Sequence, residues 1–150
     1  MLNIYVDADA CPVKEEVLRV SIRHKLQVYL VSNSWMNIRV TENVHKILVE
    51  AGPDIADNWI AEHAEKGDIV ITADILLADR CLKNNAHVIG PTGKIFDYEN
   101  ISMAKAMRDL SAHLRETGEI SGSHPSFGKN DRSRFLQIME ETIQSIKRNL

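Results

Sequence analysis

The chain has 150 residues, of which 44% are hydrophobic and 26% charged, and its formal net charge is −3. These values are typical of one globular domain and exclude a protein that attracts nucleic acid or anionic membranes through its overall charge. No apolar run approaches the ~20 residues of a membrane span, and the N-terminus lacks a signal-peptide pattern. The two cysteines fit neither a disulfide framework nor a zinc motif, so we expect a reduced, cytoplasmic setting.

Strands and helices alternate along the chain. Residues 2–6 alternate between apolar and polar, which predicts a strand that ends at Asp7. Pro12 and the glutamates after it favour the start of a helix. The pattern then predicts strands over 27–33, 44–52, 68–74 and 86–90, and helices over 53–67, 75–85, 99–118 and about 131–148. The apolar run in 44–52 is short enough to be a helix instead.

The alternation of strands and helices predicts the fold class. It is typical of βαβ units, in which parallel strands form a central sheet. We therefore expect an α/β fold, a single three-layer domain over residues 1–150 with a mostly parallel sheet. This domain includes a loop over 121–131, rich in Gly, Ser and Pro, and the C-terminal helix.

Acidic side chains follow two of the predicted strands. Asp7 and Asp9 come directly after the first strand, and Asp74 ends the strand over 68–74. In an open parallel sheet, ligands bind beyond the carboxyl ends of the strands, where the strand order reverses. If the two strands are neighbours, their carboxylates converge and repel, and a hard divalent cation removes that repulsion. The sequence therefore predicts a Mg²⁺ or Mn²⁺ site whose ligands include these three acids.

The acidic residues also have structural interpretations. An aspartate just before a helix is commonly a cap or a turn residue. Asp9 and Asp54 fit that description, and Asp79 complements the dipole near the start of its helix. The combination of acids at two strand ends indicates a metal site more strongly than any single residue does.

Five motifs are distributed along most of the chain: VDADACPVKEEV at 6–17, DIADNWIAEHAEKGDIVITADILLADR at 54–80, AMRDL at 106–110, LRETGEI at 114–120 and DRSRF at 131–135. Together they resemble the YaiI/YqxD family of uncharacterised bacterial proteins. The resemblance spans nearly the whole chain. That family is regarded as PIN-like, and PIN domains are mostly metal-dependent nucleases that cut RNA. The resemblance therefore implies a PIN-like fold, a Mg²⁺ or Mn²⁺ cofactor and an RNA or other phosphodiester substrate.

The resemblance also assigns site residues. The PIN pattern has an aspartate at the end of its first strand, where this chain has Asp7. It has an acid on a middle helix, matched by Asp57 in DNWIA, and a Thr-x-Asp after the fourth strand, matched by Thr72 and Asp74. Asp79 is a weaker counterpart of a further acid.

These assignments imply a mechanism. Asp7 and Asp74 would bind the cation directly, and Thr72 would hydrogen-bond a ligating carboxylate or a metal-bound water. A metal-activated water would then attack a phosphodiester. Three further acids would complete the shell or orient water: Asp9, which belongs to the YaiI/YqxD motif, Asp57 and Asp79.

Other residues are candidates for substrate contacts or for structural roles. The basic candidates for phosphate binding are Lys14, Arg39, Arg80, Lys129, Arg132 and Arg134, each with the alternative of a solvated side chain. Trp35 could stack on a base, but we interpret it, like Trp59, as a partly buried core residue. We interpret Cys11 as a small packed residue and Asp97 as a cap for the helix that follows.

Two other functions compete with a phosphodiesterase. Phosphatases of the haloacid-dehalogenase type also place Asp-x-Asp after the first strand, so that Asp7 would be the nucleophile and Asp9 the general acid. The lysine and the Gly-Asp-x-x-x-Asp motif of that class are not matched convincingly. The second competitor is a binding module whose acidic edge holds a metal ion or nucleic acid without turnover.

Overall fold

The fold is taken from a computed structural model, which describes residues 2–38, 41–116 and 127–149. The strands are β1 (Asn3–Asp7), β2 (Gln27–Ser32), β3 (Val44–Leu48), β4 (Ile69–Ile71), β5 (His87–Ile89) and β6 (Ile95–Phe96). The helices are α1 (Lys14–His24), α2 (Ile55–His63), α3 (Ile75–Lys83), α4 (Ile101–Glu116) and α5 (Lys129–Arg148). A single 3-10 turn, Ala8–Ala10, joins β1 to the segment before α1.

The six strands form one sheet in the order β3-β2-β1-β4-β5-β6. The first five are parallel, and β6 pairs antiparallel with β5. The chain adds β2 and β3 on one side of β1 and then crosses over to add β4 and β5 on the other. The strand order therefore reverses between β1 and β4, which is where ligands bind in sheets of this type.

Helices cover both faces of the sheet and complete the three layers. Alternate strand residues point to opposite faces, so Ile4 and Val6 belong to one hydrophobic cluster and Tyr5 to the other. On the first face the sheet packs against α1 and α5, whose largest buried side chain is Phe135. On the second face it packs against α2, α3 and α4, for example through Ile60. The predicted α/β class with a mostly parallel sheet is confirmed.

Three differences from the prediction are local. Strand β6 was not predicted because two residues carry no periodicity. Segment 44–52 is a strand only over Val44–Leu48, and α5 begins at Lys129 rather than near Asp131. The predicted loop over 121–131 lies mostly outside the described residues. None of the described helices combines the length and apolarity that crossing a membrane requires.

The structure decides three side-chain interpretations. Asp97 Oδ1 accepts a hydrogen bond from the Asn100 N–H at 2.8 Å, and Asn100 Oδ1 accepts one from the Asp97 N–H at 3.0 Å. This reciprocal pair stabilises the start of α4, so the interpretation of Asp97 as a cap is confirmed. Trp35 is 77% exposed, so its interpretation as a core residue is wrong. Trp59 is partly buried against Tyr5, as expected.

Candidate functional site

A pocket of about 200 Å³ opens at the switch point, beyond the carboxyl ends of β1 and β4. The two strands pair with Val6 opposite Ile71, so the chain leaves both of them side by side. The pocket is lined by Asp7, Cys11, Ile71, Thr72, Ala73, Asp74 and Pro91. The expected convergence of the residues after these two strands is therefore present.

Thr72 connects the ends of the two strands. It is 1% exposed, and its Oγ1 donates to Asp7 Oδ2 at 2.9 Å. The same oxygen accepts a hydrogen bond from the Asp74 N–H at 3.0 Å. Because a β-branched side chain has few rotamers, Thr72 holds the carboxylate of Asp7 in one orientation relative to the backbone of Asp74.

Asp74 is the N-cap of α3. Its Oδ1 accepts hydrogen bonds from the Leu76 N–H at 2.9 Å and the Leu77 N–H at 3.2 Å. A capping role therefore explains the residue type by itself. The cap uses only Oδ1, so the cap contacts leave the second carboxylate oxygen unoccupied.

Asp57, in the first turn of α2, does not line the pocket but lies close enough to Asp74 and Asp7 for their charges to act on it. Burial, together with the charges of Asp74 and Asp7, raises the pKa of Asp57 to about 6, and a hydrogen bond with Asp74 adds to this effect. Burial also raises the pKa of Asp7, against the opposing hydrogen bond from Thr72, and the charge of Asp74 adds to the rise. Three carboxylates from three separate elements thus repel one another; we refer to Asp7, Asp57 and Asp74 as the acidic cluster.

The donor atoms of the acidic cluster fit a hard cation. Carboxylate and hydroxyl oxygens are the ligands that Mg²⁺ and Mn²⁺ prefer. Cys11 lines the pocket, but burial raises the pKa of its thiol, which makes it a poor ligand. Within the described residues, no three His, Cys, Asp or Glu side chains are already arranged as a metal cage. Mg²⁺ is commonly bound through one or two carboxylates and then keeps several water ligands.

Asp57→Asn is expected to stabilise the metal-free protein at neutral pH. The pKa of Asp57 is raised to about 6 in the folded state, above the ~3.9 of an unfolded aspartate, so its contribution to folding becomes unfavourable as the pH rises between these values. Solvent screens a partly exposed side chain, so we expect Tm to rise by roughly 2–4 °C, the effect of about 1 kcal/mol in a chain of this size. Thermal unfolding in EDTA measures this. The difference should vanish near pH 4; a variant less stable than the wild type at neutral pH would contradict it.

Asp9 lies beside the acidic cluster but faces the loop that follows β2. Its Oδ1 accepts hydrogen bonds from the hydroxyl groups of Ser32 and, at 3.3 Å, Ser34, and its Oδ2 accepts one from the Asn33 N–H at 3.1 Å. Its charge contributes to the raised pKa of Asp7. Asp9 therefore anchors the loop after β2. The hydrogen bond from Thr72 goes instead to Asp7, the first aspartate of the Asp-x-Asp pair.

Asp79 is not brought into the acidic cluster. Its carboxylate lies 3.2 Å from Lys83 Nζ and 3.4 Å from Lys105 Nζ. Although partial burial acts in the opposite sense, the hydrogen bonds from these two lysines lower the pKa of Asp79. The residue links α3 to α4, which explains its charge without a metal.

Two of the basic candidates bind protein groups near the site. Lys14 Nζ donates to the carbonyl groups of Ala8 at 2.9 Å and Cys11 at 3.0 Å, and so holds the turn after β1. Arg80 donates to Asn58 Oδ1 at 2.8 Å and joins α3 to α2 beside Asp57. Both cations thus lie close to the acidic cluster while also having structural partners.

The basic cluster at the start of α5 is also tied to neighbouring groups. Arg132 donates to the Pro12 carbonyl and to Glu16 Oε1, both at 2.8 Å. Arg134 pairs with Asp131 at 3.2 Å. Glu16 is 5% exposed, so Arg132 neutralises a buried charge. These contacts give Arg132 and Arg134 structural roles.

Among the described residues, Lys129 is the one basic candidate without such a contact. Lys129 is exposed at the first residue of α5. Arg39 lies outside the described residues.

Sequence reasoning did not single out Pro91 or the serines that bind Asp9, because their proximity depends on strand order and carries no local signal.

A family model and curated relatives each match nearly the whole chain. A family model described as "Uncharacterized BCR, YaiI/YqxD family" matches residues 5–145. A UPF0178 protein of Rhizobium meliloti is 54% identical over 145 residues, which cover 97% of this chain and 99% of the relative. A UPF0178 protein of Parvibaculum lavamentivorans is 53% identical over 148 residues, 99% of this chain and 97% of the relative. No solved structure matches the chain significantly. These names state no activity, so any function rests on the site itself.

Proposed function

The chain belongs to the YaiI/YqxD family, and we propose that it is a metal-dependent phosphodiesterase that hydrolyses the backbone of RNA. The convergence of Asp7, Asp57 and Asp74 at the switch point carries this proposal. The proposal includes membership of the PIN-like superfamily, whose pattern has acids at the positions of these three residues. We also propose a cytoplasmic location, since both described cysteines are free thiols.

Mg²⁺ or Mn²⁺ is the proposed cofactor. Asp7 and Asp74 would hold it, with Asp57 binding a water in its shell. When bound, such a cation polarises a phosphoryl oxygen and lowers the pKa of a water, which supplies the nucleophile and the charge stabilisation for hydrolysis. It would also offset the repulsion within the acidic cluster that raises the pKa values of Asp7 and Asp57.

The chain's own side chains divide the remaining tasks. Thr72 fixes the orientation of the Asp7 carboxylate through its hydrogen bond. The cap contacts fix Asp74 at the N-terminus of α3, where the helix dipole also favours a phosphate group. A bound cation would favour the ionised form of Asp57, and an ionised carboxylate is suited to accept a proton from a nearby water. Its proposed role is to take the proton of the attacking water.

The contacts of Asp9 favour a phosphodiesterase over the phosphatase alternative. A phosphatase of the haloacid-dehalogenase type needs its second aspartate to donate a proton to the leaving group. Both oxygens of Asp9 accept hydrogen bonds from the loop after β2, so this loop holds the side chain, and Asp9 is not among the residues that line the pocket. The binding module, which is the non-catalytic alternative, would also hold a cation at the acidic cluster. It would differ from the phosphodiesterase only in that it turns over no substrate.

The test of the proposed function compares two substrate classes. The wild-type protein is expected to cleave a labelled single-stranded RNA with Mg²⁺ or Mn²⁺ and to stop when EDTA is added. It should release no phosphate from p-nitrophenyl phosphate. Phosphate release with an aspartyl-phosphate trapped on Asp7 would establish the phosphatase instead. Tight Mn²⁺ binding with no product from either substrate would establish the binding module.

A further inference from the structure

Trp35 is a large apolar side chain that faces solvent. It lies in the loop after β2, and 77% of its surface is exposed. Lys46 Nζ lies over the indole ring, 4.7 Å from the ring centroid, and donates to the Met36 carbonyl at 2.9 Å. The lysine thus covers one face of the ring and fixes its position through a cation–π contact. The other face is open to a ligand.

The loop that carries Trp35 belongs to the same edge of the sheet as the acidic cluster. Asp7 and Val31 are paired in register on neighbouring strands. Adjacent strands lie about 4.8 Å apart, and the chain from Val31 to Trp35 spans at most about 14 Å, so Trp35 lies within roughly 19 Å of Asp7. The hydrogen bonds from Ser32 and Asn33 to Asp9 hold the loop in this position.

The surroundings of Trp35 suit a flat aromatic ligand better than a protein side chain. The depression beside the ring has a volume of only about 50 Å³, so a ligand would rest on the face of the ring rather than enter a cavity. A base needs no pocket, because it stacks on a ring face. Lys46 adds a positive charge next to the ring, where a single strand carries phosphate groups.

We propose that Trp35 is a stacking subsite for a base of a single-stranded nucleic acid whose backbone reaches the acidic cluster a few nucleotides away. This inference rests on the proposed function and names its substrate class as single-stranded. Stacking accepts any base, so the subsite contributes affinity and not sequence preference. In this proposal Trp35 binds the strand and takes no part in hydrolysis.

The experiment measures the affinity of the full chain for a short labelled oligoribonucleotide by fluorescence anisotropy, in EDTA and in Mg²⁺. Trp35→Ala is expected to weaken binding at least about fivefold, the lower end of the effect of losing one stacked base. Trp35→Phe should recover most of the affinity because it keeps a ring. Trp59→Phe is the matched control, since Trp59 is the other tryptophan and lies against Tyr5; its affinity should equal that of the wild type.

Two further readouts keep the inference separate from a folding defect. Trp59→Phe leaves Trp35 as the sole tryptophan, and its fluorescence should be quenched by the RNA. A strand with abasic sites should bind the wild type and Trp35→Ala equally. The subsite is overturned if the wild type and Trp35→Ala bind RNA equally, if the wild type binds no strand with or without Mg²⁺, or if Trp35→Ala changes the sedimentation of the protein alone, which would make Trp35 a protein contact.

The results also separate this inference from the proposed function. If Trp35→Ala hydrolyses RNA with an unchanged KM, the proposed phosphodiesterase activity stands and the stacking subsite is ruled out. If RNA binding depends on Trp35 but no cleavage occurs in Mg²⁺ or Mn²⁺, the stacking subsite stands and the phosphodiesterase activity is ruled out.

Discussion

Asp74→Asn is expected to reduce metal-dependent RNA cleavage by at least about 100-fold without unfolding the protein. The loss follows because a metal ion supplies several kcal/mol of charge stabilisation in the transition state, and about 2.7 kcal/mol corresponds to 100-fold in rate. Asparagine is as good an N-cap as aspartate, so the bonds to the Leu76 and Leu77 N–H groups are retained. The rate of cleavage and the thermal unfolding of the same preparation are measured side by side.

Asp97→Asn is the matched control for this substitution. Asp97 also accepts a hydrogen bond before a helix, but it is not a lining residue of the switch-point pocket. It should keep wild-type activity. Asp74→Ala removes both the charge and the cap, so it should in addition lose about 1 kcal/mol of stability. Full activity in Asp74→Asn would mean that this aspartate serves only as a cap.

Mn²⁺ is expected to stabilise the folded protein strongly at neutral pH. A ligand at about 100 times its Kd adds about 2.7 kcal/mol to the free energy of unfolding, which raises Tm by roughly 5–10 °C in a chain of this size. Asp7→Asn should lose this shift because it removes a ligand. The measurement is thermal unfolding with and without Mn²⁺.

The stabilisation by Mn²⁺ should depend on pH in a defined direction. The raised pKa values of Asp7 and Asp57 mean that protons compete with the cation. The shift in Tm should therefore be largest well above pH 6, where Asp57 is ionised, and decline as the pH falls through 6. Asp79→Asn is the control, since Asp79 pairs with Lys83 and Lys105 and lies outside the acidic cluster. An equal loss in Asp7→Asn and Asp79→Asn, or no pH dependence, would contradict the assignment.

The meeting of Asp7 and Asp74 was predicted on the condition that their strands are neighbours, because both residues follow strongly apolar strands. Parallel strands end at a common edge, so two acids at strand ends become neighbours once the strands pair. The pairing of β1 with β4 itself was an assumption. Asp57 could be assigned only through the family resemblance, because a residue on a helix has no local signal for the sheet edge that it reaches.

Other features could not be predicted because they depend on tertiary contacts. The contacts of Asp9 with Ser32 and Ser34 join segments more than 20 residues apart, and nothing in VDADAC distinguishes them from a metal ligand. The exposure of Trp35 was interpreted incorrectly, since a tryptophan is usually largely buried. The sequence alone does not distinguish an indole on a surface loop from an indole in the core, because the two differ only in the residues that surround them in the folded protein.

A crystal soaked in Mn²⁺ and measured at the manganese absorption edge gives the most direct test of the acidic cluster as a metal site. The expected result is one strong anomalous peak between the carboxylates of Asp7 and Asp74, next to Asp57 and absent from crystals of Asp74→Asn. A peak bound elsewhere, or no peak beside these carboxylates at neutral pH, would contradict the metal site and with it the proposed hydrolysis.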